Sequence, residues 1–319
     1  MFESLLSITT RSITYFEYYT GERRKSDKPF NPYLRNLSNN FSKRSYKRLK
    51  LAIDTLIDTA KYKTVFVSST KQYFRYKVNF ITLTLPSLQI HSDEFIIKQI
   101  LTPFLHAWRN RRPGLLYVWK AETQDNGNIH FHITSNSFYH YKKLREHWNR
   151  YLNRLGYVDR ASTKNPNSTD VHSVSKIKNL SSYLASYMTK KDLYTKTLKR
   201  YFRRYRKQLS DLNQQVFILP KNYFKFLKRK ISSTRWGASK PLLTPKLVLS
   251  PTAPDIKEDL DLLYLADDYM LKSQYSSTLF LDHSIQLSFP AFFKHWRKQF
   301  EELLKLQAAV KDYEVIEAL

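Results

Sequence analysis

The chain has 319 residues, 54 Lys plus Arg against 27 Asp plus Glu, and a formal net charge of +27. With 42% hydrophobic and 15% aromatic residues it has material for a sizeable core, which excludes a wholly disordered polyelectrolyte. No cysteine means no disulfide, no Cys-ligated zinc and no thiol nucleophile; no apolar run approaches a membrane span; and five scattered glycines build neither a Walker A loop nor a dinucleotide fingerprint.

In chain order, residues 1–75 read as a basic lead-in rich in Asn, Ser and Tyr, with one helix at 45–59. Residues 78–85 form a strand, hydrophobic residues alternating with Thr from Phe80 to Leu85, and Pro86 ends it. Asp93 and Glu94 open a helix whose Ile96, Ile97, Ile100, Leu101, Phe104, Leu105 and Trp108 keep helical spacing up to Pro113. A strand at 115–123, a turn at Gln124-Asp-Asn-Gly-Asn128 and a strand at 129–134 make a hairpin. A helix at 141–155 stops at Gly156. A short strand at 157–159, a polar loop at 160–170, a strand at 171–174 and a helix at 177–191 follow. This order spells an α+β unit with an antiparallel sheet and helices packed beside it. Residues 192–250 are predicted to be basic and mostly helical. Pro241, Pro245, Pro251 and Pro254 mark a linker into an acidic, leucine-rich helical tail.

The division expected is therefore 1–76, a basic N-terminal region; 77–192, the α+β domain; 193–250, a basic helical accessory region; and 251–319, an acidic helical tail. Basic residues outnumber acidic ones by 16 to 6 in 1–78, 16 to 7 in 79–191 and 15 to 2 in 192–250, whereas 251–319 has 7 against 12. A field this positive concentrates polyanions, and the phosphate contacts it offers weaken steeply with salt. Aromatic residues interleave with the cations at 71–77, 201–207 and 223–230, a composition suited to single strands, whose bases stack while Lys and Arg follow the backbone. Arg203, Arg204, Arg206 and Lys207 are the candidate DNA contacts in the second run.

Within Ile129-His-Phe-His-Ile133, residues two apart share a face, so His130 and His132 point one way and Ile129, Phe131 and Ile133 the other. If Asp125-Asn-Gly127 is a three-residue loop with Gly127 left-handed, Glu122 faces His130 and joins both imidazoles. A two-residue Asn-Gly turn puts Glu122 behind the sheet instead. The first register brings every polar residue to one side and is preferred. Two imidazoles and a carboxylate suit Mg²⁺ or Mn²⁺ with positions left for water and phosphate. On the helix at 177–191, Tyr183 and Tyr187 lie one turn apart, and Lys190 follows Tyr187 by three. A phenol needs a cation or base to become a nucleophile at neutral pH.

In this order the three pieces resemble the rolling-circle replication initiators of the HUH endonuclease superfamily. Phe80-Ile-Thr-Leu-Thr-Leu85 is similar to their first motif, and Glu122 with His130-Phe-His132 to their metal motif. Tyr183-Leu-Ala-Ser-Tyr187-Met-Thr-Lys190 is similar to the two-tyrosine motif of the replication proteins of small single-stranded DNA phages. The resemblance covers about 79–191. It implies a five-stranded antiparallel sheet of the RNA-recognition kind with flanking helices, a divalent ion at Glu122, His130 and His132, and a 5′-phosphotyrosine intermediate. Relatives often have Lys three after the first tyrosine; here that place is Ser186, so Tyr187 is expected to act first and Tyr183 second. The expected substrates are single-stranded and origin DNA. A host helicase and DNA polymerase are the expected partners, and a bacterial host's cytoplasm the expected setting. The alternatives are a transposase or relaxase of the same chemistry, or a non-catalytic protein that binds single-stranded DNA or RNA.

Overall fold

The computed structural model describes residues 2–20, 42–67, 70–124, 126–159, 166–174, 231–243, 246–281, 283–301, 304–305 and 313–316. Strands β1 (Phe2–Ile8) and β2 (Ser12–Tyr19) form a hairpin that buries Leu6, Ile8 and Ile13 completely. The helix Lys43–Thr59 starts where the Ser42 hydroxyl accepts the Ser45 N–H, and it buries Leu49, Ala52, Ile53 and Leu56 at helical spacing. Arg11 locks hairpin to helix, forking onto both oxygens of Asp58 at 2.6 Å and reaching Asp54 at 3.2 Å.

Next come the hairpin β3 (Lys63–Val67) and β4 (Gln72–Tyr76), then β5 (Val78–Leu83). A continuous helical run covers Asp93–Ile96, a π-turn at Ile97–Leu101 and Thr102–Arg111. Strands β6 (Tyr117–Thr123) and β7 (Ile129–Ser135), the helix Tyr141–Asn153 and strand β8 (Thr169–Val174) follow. Beyond residue 230 lie β9 (Trp236–Ala238), a helical turn at Lys240–Leu243, β10 (Leu247–Leu249), the helix Lys257–Leu265, β11 (Leu271–Ser273) and β12 (Ser276–Phe280). The helices His283–Gln286 and Pro290–Gln299 and strand β13 (Tyr313–Ile316) complete the described elements.

The fold is α+β, with an antiparallel five-stranded sheet in the order β8-β5-β7-β6-β9. Ile81, Leu83, Phe131, Ile133, Trp119 and Ala121 line one face and pack under the 93–111 and 141–153 helices with Phe104, Trp108, Leu144 and Trp148. Val78, Phe80 and Val118 start the other face and are covered by the Lys43–Thr59 helix. The far end of that second face carries the polar cluster described below.

The flanks contain strands where the sequence suggests only helices. β1 and β2 lie between β10 and β12 in a second five-stranded sheet, so the first twenty residues and residues 247–280 fold together. The edge strand of the first sheet, Trp236–Ala238, comes from the stretch expected to be accessory and helical. Residues 157–159, expected as a short strand, are not one. After Gly156, at φ +74°, Tyr157 turns inward and its hydroxyl meets His91 Nδ1 at 2.9 Å, so its apolar bulk fills the core without a partner strand. The helix expected at 177–191 lies outside the described residues.

Candidate metal centre

The β6–β7 turn decides the site. The Gly127 N–H donates to the Gln124 carbonyl, and the Gln124 N–H to the Asn128 carbonyl at 2.8 Å, with Gly127 at φ +88°. This is the three-residue loop with a left-handed glycine, and it sets Glu122 opposite His130 and Lys120 opposite His132. Glu122, His130 and His132 consequently share one face, and one ligand atom from each lies within 4.8 Å of the others. Glu122 Oε2 is 3.5 Å from Nε2 of both His130 and His132. The imidazoles meet edge to face with ring centres 4.5 Å apart.

Each member is held from outside the trio. Thr82 on β5 sits opposite His132, and its hydroxyl contacts His132 Nδ1 at 3.1 Å. Phe80 stacks on the same imidazole at 5.3 Å and 16°. Lys120, only 5% exposed, brings its ammonium to Glu122 Oε1, which leaves Oε2 facing the imidazoles. Burial works to raise the Glu122 carboxyl, but contacts from His130, His132 and Lys120 outweigh it and keep the group well below the usual carboxylate range. Burial pushes His132 below the ordinary imidazole value against the pull of Glu122, which favours the neutral ring and its free lone pair.

These donors fit a hard divalent cation. Nitrogen and carboxylate oxygen are suitable ligands, the carboxylate is ionised, and the 3.5 Å spacings are close to the roughly 3 Å between adjacent ligands of an octahedral ion with ~2.1 Å bonds. Three protein ligands leave positions for water and a phosphate oxygen. Lys120 and Thr82 are participants that sequence reasoning passed over. The signal for both was period two: Lys120 lies two residues before Glu122, and Thr82 is on the strand already read as alternating.

Tyr183, Tyr187 and Lys190 lie outside the described residues, as do Arg203, Arg204, Arg206 and Lys207. Other histidines among the described residues have partners elsewhere. His147 bonds Tyr139, His91 bonds Tyr157, and His172 and His295 pair with Asp170 and Asp255.

Residues 78–192 match a family model described as that of the replication-associated protein ORF2. The match begins at the first residue of β5 and includes β6, β7 and β8, hence the whole Glu-His-His cluster and Thr82. It supports a replication initiator. No curated protein and no solved structure gives a match. No helix among the described residues is long and apolar enough to cross a membrane.

Proposed function

We infer that this chain initiates rolling-circle DNA replication, nicking one strand of its origin and later rejoining it. The observation that carries the reading is the convergence of Glu122, His130 and His132 on one sheet face, inside the stretch that matches a replication-associated family. A bound Mg²⁺ or Mn²⁺ would polarise the scissile phosphate and offset charge developing on it.

The protein's own part is positioning and nucleophilic attack. Thr82 and Phe80 fix the ring of His132, and Lys120 holds one oxygen of Glu122 so that the other faces the imidazoles. Tyr187, with Lys190 beside it on the predicted helix, attacks phosphorus in line. Its phenol proton passes to solvent or base, a tyrosine O–P bond forms, and the P–O3′ bond breaks to leave a free 3′-hydroxyl. The strand's 5′ phosphate stays on the protein, and the reverse attack by a 3′-hydroxyl rejoins DNA. Tyr183, one turn away, takes the second cut. The cations of the flanks, among them Arg203, Arg204, Arg206 and Lys207, grip phosphates without reading sequence. Strand separation and synthesis fall to a host helicase and DNA polymerase in a bacterial cytoplasm.

The test is incubation of the full chain with labelled single-stranded origin DNA and Mn²⁺, followed by denaturing electrophoresis. A covalent protein–DNA band is expected, lost with EDTA and restored by Mn²⁺. Tyr187→Phe should remove most of the band, while Tyr183→Phe should spare the first cut and hinder joining. Nicking unaltered by either change would sink the tyrosine assignment. His130→Ala should abolish cutting and leave salt-sensitive DNA binding in place.

A further inference from the structure

Between Asp58 and Asp93 the chain has no acidic residue, yet Lys61, Lys63, Lys71, Arg75 and Lys77 fall there. The β3–β4 hairpin occupies the middle of that stretch. Its pairing places Thr64 opposite Arg75 and Phe66 opposite Tyr73, so these four share one face, while Val65, Val67 and Tyr76 turn to the other and pack with Phe138. The inner side is firmly seated: the Phe138 N–H donates to the Tyr76 hydroxyl at 3.0 Å, and Asn79 Nδ2 donates to the Ser137 carbonyl at 2.9 Å. Lys63 belongs to this inner side, buried with its ammonium on the Lys61 carbonyl.

The outer face is different in kind. Tyr73 is 63% exposed and its ring lies 4.9 Å from that of Phe66. Tyr62, 47% exposed, has the Arg75 guanidinium 4.7 Å and the Lys77 ammonium 5.7 Å from its ring centre. Aromatic surface on a wet strand face costs free energy in water, and cations spread through it disfavour an apolar protein partner. Three rings and several cations on one rigid strip match an occupant with flat apolar faces and a continuous negative backbone. Duplex DNA offers the backbone but hides the faces of its bases. Single-stranded DNA offers both.

We propose that the outer face of the β3–β4 hairpin is a single-stranded DNA-binding platform, with Tyr62, Phe66 and Tyr73 stacking bases and Arg75 and Lys77 contacting phosphates. The hairpin runs directly into β5, and only nine residues separate Tyr73 from Thr82, at most about 30 Å of chain. The platform thus delivers or holds a strand beside the metal cluster. The partner is taken as DNA because the chain is read as a replication initiator; the platform itself follows from the hairpin alone.

The test uses the full chain in EDTA with a fluorescent oligothymidylate of about 20 nucleotides, longer than the ~4–16 nucleotides one binding site covers, read by anisotropy. Without metal or origin sequence, the outcome does not depend on whether the cluster cuts DNA. Tyr62→Ala combined with Tyr73→Ala should weaken binding by roughly tenfold or more, because each stacked base contributes ~5–150-fold. Tyr62→Phe with Tyr73→Phe keeps the rings and should stay within about twofold of the parent. Affinity for a duplex of the same length should change by less than about threefold in either double variant. Unchanged oligothymidylate binding by the alanine pair overturns the proposal. Equal loss for single strand and duplex also overturns it, since phosphate contact alone would explain that pattern. Both tyrosines are exposed, so the variants should fold, and unchanged thermal melting checks this.

Discussion

The hydroxyl of Thr82 lies 3.1 Å from Nδ1 of His132, across a strand pair in which the two residues face each other directly. If Nε2 of His132 is to present a lone pair beside Glu122, Nδ1 must carry the proton and donate it to Thr82. The threonine therefore selects the tautomer and the ring orientation. Such outer partners of ligating histidines typically contribute 10–100-fold to metal affinity. Thr82→Val, which keeps the shape and loses the acceptor, should weaken Mn²⁺ binding by about that factor in calorimetric titration. Metal-free DNA binding should be unaffected.

Lys120 stands in a different relation to the cluster, as a buried cation sharing Glu122 with whatever ion the imidazoles hold. Removing it leaves the carboxylate without its partner, at a cost of about 1–3 kcal/mol in the metal-free protein. It also removes a positive charge that repels the ion. Lys120→Met should therefore melt lower than the parent without metal and gain more melting temperature on adding Mn²⁺. A smaller gain than the parent's would mean that Lys120 serves to place Glu122 for the ion.

Gly237 lies flat against a rigid ring. A Cβ there would come within 2.7 Å of Trp119 Nε1 and 2.9 Å of Cε2, and Trp119 is itself buried. The indole cannot move without disturbing the helical side of the sheet. Gly237→Ala should destabilise the protein by about 1–3 kcal/mol, visible in urea denaturation. It should also shift β9, whose Trp236 pairs with Lys120. The metal-induced gain in melting temperature should shrink accordingly.

His147 predicts an acid sensitivity remote from the site. Burial, reinforced by Arg111, Arg150 and Arg154, lowers it to about 4, and it is 3% exposed with Nδ1 on the Tyr139 hydroxyl at 2.7 Å. The unfolded chain, with an ordinary imidazole near 6.5, binds the proton first as pH falls. Stability contributed by the neutral ring is thus complete above about pH 6.5 and is lost progressively toward 4. Between pH 7 and 5 the loss should be on the order of 1–2 kcal/mol, and His147→Gln should flatten the melting curve over that interval.

Alternation along Ile129–Ile133 and the Asp-Asn-Gly turn were enough to place Glu122 beside two histidines, because register in a tight hairpin is a local property of glycine's positive φ and period-two geometry. The Phe80–Leu85 strand and the helices at 45–59, 93–111 and 141–153 were legible for the same reason: each buries one stripe, and that stripe is written in consecutive residues. Tyr157 was misread because an apolar pair after a glycine looks the same whether it joins a sheet or plugs a core.

What no local pattern contained was the company these elements keep. Trp236–Ala238 closes the edge of a sheet begun more than 150 residues earlier, and β12 pairs with β2 across most of the chain. Three-residue and five-residue strands carry too little periodicity to announce themselves, and their partners are chosen by which hydrophobic faces remain open once the hairpins and helices have formed. The same holds for the aromatic face of the β3–β4 hairpin. Its composition was plain in the run 71–77, but which rings turn outward depended on Phe138 and Tyr76 claiming the opposite side. Residue chemistry and short-range geometry are encoded along the chain; exposure, edge and neighbourhood exist only after distant segments compete for the same apolar surface.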